Sequence, residues 1–273
     1  MMKKYIILNK NNKNQLGGKT LKKIIILSWN VSWEAMTTNN SGQFKLCGKN
    51  PNKTCNNNII LNISNTIKKF NPDILGFQEA SKYNDIINIL NTSLYNYFVN
   101  SSGLEDMLTC WSTKTFTLIN SFSYEFEKGR PFAIIILKQN YNNNIIYLIN
   151  IHSAHNSNTQ SSIFDIINQF IKNNINDELK KNINRVIILG DYNRNTFNDN
   201  TSNYKIIIGN IHFILKRSNY KGNTCCSLKG YLTNKNYDYI LDSTNLVERL
   251  LINTEPYYKI PSSDHIMIIG IIK

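Results

Sequence analysis

The stretch Arg185–Arg194 reads RVIILGDYNR, an apolar run that ends in a glycine and a group of polar side chains. An uninterrupted run of Val, Ile and Leu is typical of a strand that is buried on both faces, so we predict a strand over Arg185–Leu189. Asp191 and Asn193 follow it one residue apart. In an extended segment both side chains would point to the same side. A carboxylate and an amide at a strand end therefore indicate a polar site.

Five further polar signatures lie at the ends of apolar runs elsewhere in the chain. They are WNV at Trp29–Val31, QEA at Gln78–Ala80, NIHSAH at Asn150–His155, YDYI at Tyr237–Ile240 and SDH at Ser263–His265. Hard oxygen ligands hold a divalent cation, and imidazoles handle protons and anionic oxygens. Together the six signatures predict metal-assisted attack on a phosphate ester.

Apolar runs separated by short turns containing Asn or Gly continue along most of the chain. Further strands are predicted over 23–31, 73–79, 95–100, 106–112, 116–124, 131–138, 145–151, 204–208, 211–215, 237–241 and 265–272. Apolar residues at helical spacing predict helices over 57–70, near 84–90 and over 163–175. Strands interleaved with a few helices favour a mixed sheet system whose outer faces are covered by helices.

The chain of 273 residues is long enough for one large α/β domain or two small ones. Because the signatures extend from Asn30 to His265, we predict a single domain over 22–273 after a leader over 1–21. The polar stretch 32–56 follows the first signature, and we expect an insertion there that forms a lid or a substrate wall.

The formal net charge of +13 favours polyanionic partners. Part of this charge lies at the start of the chain, where residues 1–23 contain seven lysines and no acidic residue. Such an arm would contact phosphates without reading sequence, and a solvated leader is the alternative.

The apolar runs and the cysteines of the chain indicate its compartment and whether it associates with a membrane. The longest early run, Tyr5–Leu8, is shorter than the apolar core of a signal peptide, about 7–15 residues. No run reaches the roughly 18 residues of a membrane span, so no stable membrane association is expected. The five cysteines match no common zinc spacing. We therefore expect free thiols in an intracellular protein of the cytoplasm or nucleus, with a Cys47–Cys55 bridge as the alternative and an inert Cys225–Cys226 pair.

The order of the signatures, together with GRP at Gly129–Pro131, resembles that of the endonuclease/exonuclease/phosphatase superfamily over roughly residues 22–273. GDxN and the terminal SDH are the most specific parts of this resemblance. It implies the fold of deoxyribonuclease I, a four-layer α/β/β/α sandwich in which two packed mixed sheets are flanked by helices. It also implies a hydrolase that depends on Mg²⁺ or Mn²⁺.

The resemblance further implies a role for each polar residue of the signatures. The implied metal ligands are Asn30, Glu79 and Asp264. The implied catalytic residues are His152, Asp191, Asn193, Asp238 and His265. The implied contacts to the substrate phosphate are Arg130 and Asn150, whereas His155 and His212 are expected to take no part in the chemistry.

Within the superfamily, the signatures are most similar to those of deoxyribonuclease I and abasic-site endonucleases. This similarity and the basic charge favour a nuclease that cleaves phosphodiester bonds by attack of a metal-activated water. One alternative keeps the site and changes the substrate, giving a phosphoinositide phosphatase or a sphingomyelinase-type phosphodiesterase. A second alternative is a relative that binds nucleic acid without catalysis.

Overall fold

The computed structural model describes residues 23–37, 51–101, 105–155, 162–194, 204–217, 223–225, 235–244, 247–252 and 262–272. The predicted leader and residues 38–50 of the predicted insertion lie outside these ranges. Strands β1 to β14 are, in chain order, Ile24–Asn30, Ile74–Gln78, Tyr95–Asn100, Met107–Ser112, Phe116–Glu127, Arg130–Gln139, Ile145–His152, Ile183–Asp191, Lys205–Ile208, Ile211–Ile214, Lys216–Arg217, Asp238–Asp242, Val247–Ile252 and Ile268–Ile272. Helices α1 to α4 are Trp33–Met36, Pro51–Phe70, Tyr83–Ile89 and Ile163–Asn174.

Two six-stranded mixed sheets form the centre of the described chain. Sheet 1 has the order β13-β14-β1-β2-β4-β3, and sheet 2 has the order β11-β12-β8-β7-β6-β5. Strands β1 and β2 pair in parallel in sheet 1, as do β7 and β8 in sheet 2. The mixed sheets that the sequence predicts are therefore confirmed.

Three apolar cores separate four layers. The core between the sheets contains Ile26, Leu148 and Leu189, among others. On the outer face of sheet 1, Ile59 of α2 and neighbouring residues form a second core. On the outer face of sheet 2, α4 and the hairpin of β9 and β10 form the third, which includes Ile167. This arrangement confirms the α/β/β/α sandwich.

Strand periodicity explains why polar side chains meet at one edge of the sandwich. Along β8, Ile187 and Leu189 face the other sheet, and Asp191 continues the same row because side chains alternate between the faces. Along β7, Leu148 belongs to the same core, and His152 ends that row. The inward rows of both strands therefore change from apolar to polar at the same edge.

Gly190 allows β7 and β8 to approach closely just before the polar edge. Its φ is +133°, and a Cβ atom there would lie 2.0 Å from the carbonyl oxygen of Ile151. Only glycine combines this backbone conformation with this distance. The glycine of the GDYNR signature is thus explained by packing.

The elements differ from the predicted ones mainly in the polar parts of the sequence. Helix α2 begins at Pro51 instead of residue 57, and proline at a first helical position is favourable because its missing N–H has no partner there. The asparagines after Pro51 gave no apolar periodicity. Helix α1 and strands β11 and β13 were not predicted.

The cysteines differ from the expected free thiols. Cys55 and Cys225 each belong to a disulfide, whereas Cys110 is a free buried thiol. The expectation was therefore wrong for two of the cysteines, and the argument for a reducing compartment is lost, since disulfides persist mainly in oxidising ones. Cys47 and Cys226 lie outside the described residues. Among the described helices, none has the length and apolarity to cross a membrane.

Candidate active site

Strand register in sheet 2 places three signatures side by side. His152 at the end of β7 pairs with Asp191 at the end of β8, and Asp191 pairs with Asp238 at the start of β12. Residues directly opposite each other on neighbouring strands have Cβ atoms about 5 Å apart. The register therefore brings an imidazole and two carboxylates into one row.

Sheet 1 contributes Asn30 and Glu79 to the same edge. Glu79 directly follows β2 and has a φ of 55°, a left-handed conformation that turns its carboxylate away from the strand. The Asn30 amide nitrogen donates to Glu79 Oε1 at 2.8 Å and to Asp191 Oδ2 at 3.0 Å. One amide thus joins the acidic residues of the two sheets.

The amide oxygen of Asn30 accepts a hydrogen bond from the backbone N–H of Ser32 at 2.9 Å. In this orientation the nitrogen faces the carboxylates and the oxygen faces away from them. Asn30 therefore joins Glu79 and Asp191 through its amide nitrogen, and its role as a metal ligand stays a prediction.

Asp191 lies at the centre of the cluster. Its Oδ2 is 3.8 Å from His152 Nε2 and 3.6 Å from His265 Nε2. The side chain is only 1% exposed, so these distances are set within the protein. A group that bonds to Asp191 Oδ2 would be within reach of both imidazoles.

His265 and Asp238 form a buried imidazole–carboxylate pair. His265 Nδ1 lies 2.9 Å from Asp238 Oδ2. Burial lowers the pKa of His265, but the charges of Asp238, Asp191 and Asp264 outweigh it and raise that pKa well above its usual value. Burial raises the pKa of Asp238 to about 6, against the charge of His265, which lowers it. The expected pairing of these two residues is present in the structure.

Two signatures hold this pair in place. The Trp29 indole N–H donates to the His265 carbonyl oxygen at 3.1 Å, and the Ser263 hydroxyl donates to the Asn30 carbonyl oxygen at 2.8 Å. The Thr224 hydroxyl accepts the backbone N–H of Asp238 at 3.0 Å. Tryptophan in WNV and serine in SDH thus tie His265 to β1.

His152 has a carboxylate partner that the sequence reasoning missed. Its Nδ1 lies 2.8 Å from Glu105 Oε2, and its Nε2 lies 3.4 Å from Glu79 Oε1. Burial lowers the pKa of His152, but the Glu105 hydrogen bond and the charges of Glu79 and Asp191 raise it more, so the net shift is upward. The site therefore contains a second imidazole–carboxylate pair.

Arg130, the first residue of β6, joins this second pair. Its Nη1 lies 3.0 Å from Glu105 Oε2 and 2.6 Å from His152 Nε2. The guanidinium side chain is 17% exposed, so part of it faces solvent. A cation in this position can bind an anionic substrate oxygen.

Asn193 belongs to the cluster through a turn, and the expectation of an extended segment was wrong. Its φ is 51°, and its backbone N–H donates to Asp191 Oδ1 at 2.8 Å. The side-chain nitrogen of Asn193 donates to the Ser153 carbonyl oxygen at 2.6 Å. The asparagine side chain therefore ties the end of β8 to the end of β7.

Asn150 lies deeper than the expected phosphate contact. Its Oδ1 accepts from Gln78 at 2.8 Å, and its amide nitrogen donates to the Thr109 hydroxyl at 3.0 Å. Asn150 shares a strand face with His152, but two residues along a strand displace it by about 6.6 Å toward the core. Asn150 is therefore a bridge between the sheets, and its expected contact with the phosphate stays a prediction.

Asp264 and His155 interact electrostatically with residues of the cluster, whereas His212 does not belong to it. Asp264 is partly buried, and its charge raises the pKa values of both Glu79 and His265. Burial and the charge of Arg130 lower the pKa of His155. His212 is exposed on β10.

The cluster fits a divalent cation. Glu79, His152 and Asp191 offer ligand atoms that all lie within 4.8 Å of one another. Burial raises the pKa of Glu79, and the charges of Glu105 and Asp264 raise it further. A bound cation would offset this repulsion, and carboxylate oxygens are ligands that Mg²⁺ and Mn²⁺ prefer.

Comparisons with known proteins agree with this fold. Residues 27–267 match the model of the Endonuclease/Exonuclease/phosphatase family. A search of curated proteins by sequence finds no match.

Several solved structures have a similar fold. A family protein from Bacteroides thetaiotaomicron is 15% identical, with a TM-score of 0.66 over 92% of this chain and 98% of that one. A mannosyl-6-phosphatase from the same organism is 16% identical, with a TM-score of 0.66 over 92% and 100%. D. rerio TDP2 complexed with a single-strand DNA product is 15% identical, with a TM-score of 0.63 over 92% and 99%. At these identities the likeness shows the fold alone.

The family match covers most of the chain, and the polar signatures converge on one cluster at the edge of the expected sandwich. The chain therefore belongs to the endonuclease/exonuclease/phosphatase family of phosphoesterases.

Proposed function

We propose that this chain is a divalent-metal-dependent nuclease that hydrolyses phosphodiester bonds of nucleic acids. The observation that carries the proposal is the placement of Asp191 Oδ2 between two imidazoles, 3.6 Å from His265 Nε2 and 3.8 Å from His152 Nε2. The Nδ1 atom of each imidazole contacts a carboxylate, that of Asp238 for His265 and that of Glu105 for His152. A reacting phosphate near Asp191 would have proton-handling groups on two sides.

In this proposal Glu79 and Asp191 would hold the cation, with Asp264 beside them. A bound Mg²⁺ or Mn²⁺ polarises a phosphoryl oxygen and lowers the pKa of water. Asn30 keeps the two carboxylates together through its amide nitrogen. In this proposal Asn30 is a positioning residue, whereas the family resemblance implies a metal ligand.

The protein's own groups supply the proton transfers and the binding of the phosphate. Asp238 fixes the orientation of the His265 ring, so that Nε2 faces Asp191 and gives or takes a proton there. Arg130 and His152 bind non-bridging oxygens from the opposite side. Asp191 aligns the attacking water, and Asn193 completes the contacts to the phosphate.

Charge supports nucleic acid as the substrate class. The chain carries a formal net charge of +13, which attracts polyanions and raises their rate of association. One protein of similar fold is seen with a DNA product. Intracellular location stays a prediction.

A substrate screen tests the proposal. The full chain is incubated with Mg²⁺ or Mn²⁺ and double-stranded DNA, abasic DNA, RNA, poly(A), phosphoinositides or sphingomyelin. We expect cleavage of nucleic acid that Glu79→Gln and His265→Ala abolish. Glu178→Gln and His212→Ala change an exposed residue of each type and serve as matched controls with wild-type rates.

Other outcomes would contradict the proposal. Turnover of a phosphoinositide or of sphingomyelin alone would favour the lipid alternative. Salt-dependent binding of DNA without turnover of any substrate would favour the non-catalytic alternative.

A further inference from the structure

The described segment 223–225 lies between the two chain segments that carry the catalytic pair. Cys225 forms a β-bridge with Lys235 on one side and with His265 on the other. Its neighbour Thr224 accepts the N–H of Asp238 through its hydroxyl and the N–H of Ile266 through its carbonyl oxygen. This segment therefore connects Asp238 to His265.

Cys225 also contacts the reactive side of the imidazole. Its Sγ lies 3.3 Å from His265 Nε2, while Asp238 holds Nδ1 on the other side of the ring at 2.9 Å. Contacts at both ring nitrogens restrict rotation of the ring about its Cβ–Cγ bond. Cys225 is completely buried, so water does not compete for this contact.

The sulfur at this position belongs to a disulfide. A disulfide sulfur carries no proton and accepts hydrogen bonds only weakly, so it leaves Nε2 available to a phosphate oxygen. The cross-link also restricts where Sγ can move, because the preferred C–S–S–C dihedral of a disulfide limits rotation about its bonds.

We propose that the disulfide at Cys225 positions His265 for phosphoester hydrolysis, so that reduction of this disulfide lowers the activity. Cys225 is a positioning residue, because it acts through His265 and not on the substrate. The proposal rests on the proposed function in one respect, which is that hydrolysis of a phosphoester is the activity measured.

The chemical step is a thiol–disulfide exchange with a dithiol. The dithiol is oxidised to a disulfide, while the S–S bond at Cys225 breaks and takes up two electrons and two protons to give two thiols. The new thiol of Cys225 can rotate about its side-chain bonds, so its contact with Nε2 of His265 is no longer fixed. The restraint on the ring is then lost.

The test compares oxidised, reduced and reoxidised full-length protein. Hydrolysis of bis-p-nitrophenyl phosphate is measured with Mn²⁺ before and after excess dithiothreitol, and alkylation with mass spectrometry reports the state of each cysteine. We expect reduction to lower kcat about 10- to 100-fold, as a misplacement of a catalytic group by about 1 Å does. KM and the circular dichroism spectrum stay the same, and reoxidation restores kcat.

Variants assign the effect to one cysteine. Cys225→Ser has the low kcat in both redox states. Among the described cysteines, Cys55→Ala removes the other one that belongs to a disulfide, and Cys110→Ala removes the free thiol. Both controls keep the response of kcat to reduction.

Three results would overturn the proposal: a reduced wild type with full kcat, a Cys225 disulfide that stays closed in excess dithiothreitol, or a response that disappears in Cys55→Ala. Failure on nucleic acid alone would overturn only the proposed function, because the generic diester tests Cys225 separately. If the oxidised protein hydrolyses no phosphoester, NMR of the His265 ring decides. Its resonances must then shift on reduction and return on reoxidation.

Discussion

Replacement of Asp238 by asparagine isolates the contribution of the buried carboxylate to catalysis. In the wild type, Asp238 Oδ2 lies 2.9 Å from His265 Nδ1, which fixes the ring and its tautomer. Asparagine has nearly the same shape but can offer an N–H where the carboxylate offered an acceptor. We expect kcat to fall about 10²- to 10⁴-fold, which corresponds to about 3–5 kcal/mol of transition-state stabilisation.

The dependence of kcat on pH should change as well. Burial raises the pKa of Asp238 to about 6, so the wild type should lose activity as the pH falls through this value and the pair gains a proton. Saturating Mn²⁺ keeps Glu79 ionised. In Asp238→Asn, kcat should therefore not fall as the pH decreases through about 6.

The same pKa has a consequence for stability. Because the folded-state pKa of about 6 lies above the usual 3.8, the folded protein binds this proton more tightly than the unfolded chain does. Asp238 thus contributes stability that grows as the pH falls from about 6 toward 4, opposite to an aspartate whose pKa is lowered on folding. In Asp238→Asn this contribution to the free energy of unfolding should be absent.

The assay is steady-state kinetics from about pH 5 to 9 with thermal unfolding in parallel. A variant with kcat within about threefold of the wild type would refute the reasoning. An acidic limb that persists near pH 6 would refute it equally, since another group would then be responsible.

Three further predictions concern the metal, the far end of the sandwich and the glycine before the site. Glu79→Gln should weaken Mn²⁺ binding about 100-fold or more, measured by calorimetry, because it removes a ligand and not only an outer contact. Asp242→Ala should lower the free energy of unfolding in urea by about 3 kcal/mol, because it removes the carboxylate that lies 2.8 Å from the buried Arg185. Since Arg185 lies at the end of β8 away from the site, kcat should not change. Gly190→Ala should cost about 3 kcal/mol or more, since its Cβ would lie 2.0 Å from the carbonyl oxygen of Ile151; a variant as stable as the wild type would contradict this.

Apolar runs were sufficient to predict most strands. Strand β3 has the predicted bounds, Tyr95–Asn100, and the other predicted strands have counterparts that differ by a few residues at their ends. Strand β13, Val247–Ile252, was not predicted, because Glu and Arg interrupt its apolar residues. The four-layer order followed from the family resemblance, since periodicity alone does not determine how sheets stack.

Side-chain depth was harder to predict than strand position. Alternation correctly places Asn150 and His152 on one face, but it does not say which of them reaches the edge. Glu105 has no signature, and only its 2.8 Å contact with His152 identifies it. In the sequence, Glu105 is only an acidic residue a few positions after the end of β3. Nothing in its neighbours distinguishes it from an ordinary loop residue.

The hydrogen bond from Gln78 to Asn150 crosses from one sheet to the other beneath the site, at 2.8 Å. Neither layer alone holds a complete set of reacting groups, because Glu79 belongs to one and Asp191 to the other. The rate of turnover therefore depends on how accurately the apolar faces of the two sheets stay aligned. A cavity opened at Ile26 or Leu148, remote from any substrate, would slow the reaction by letting the layers slide.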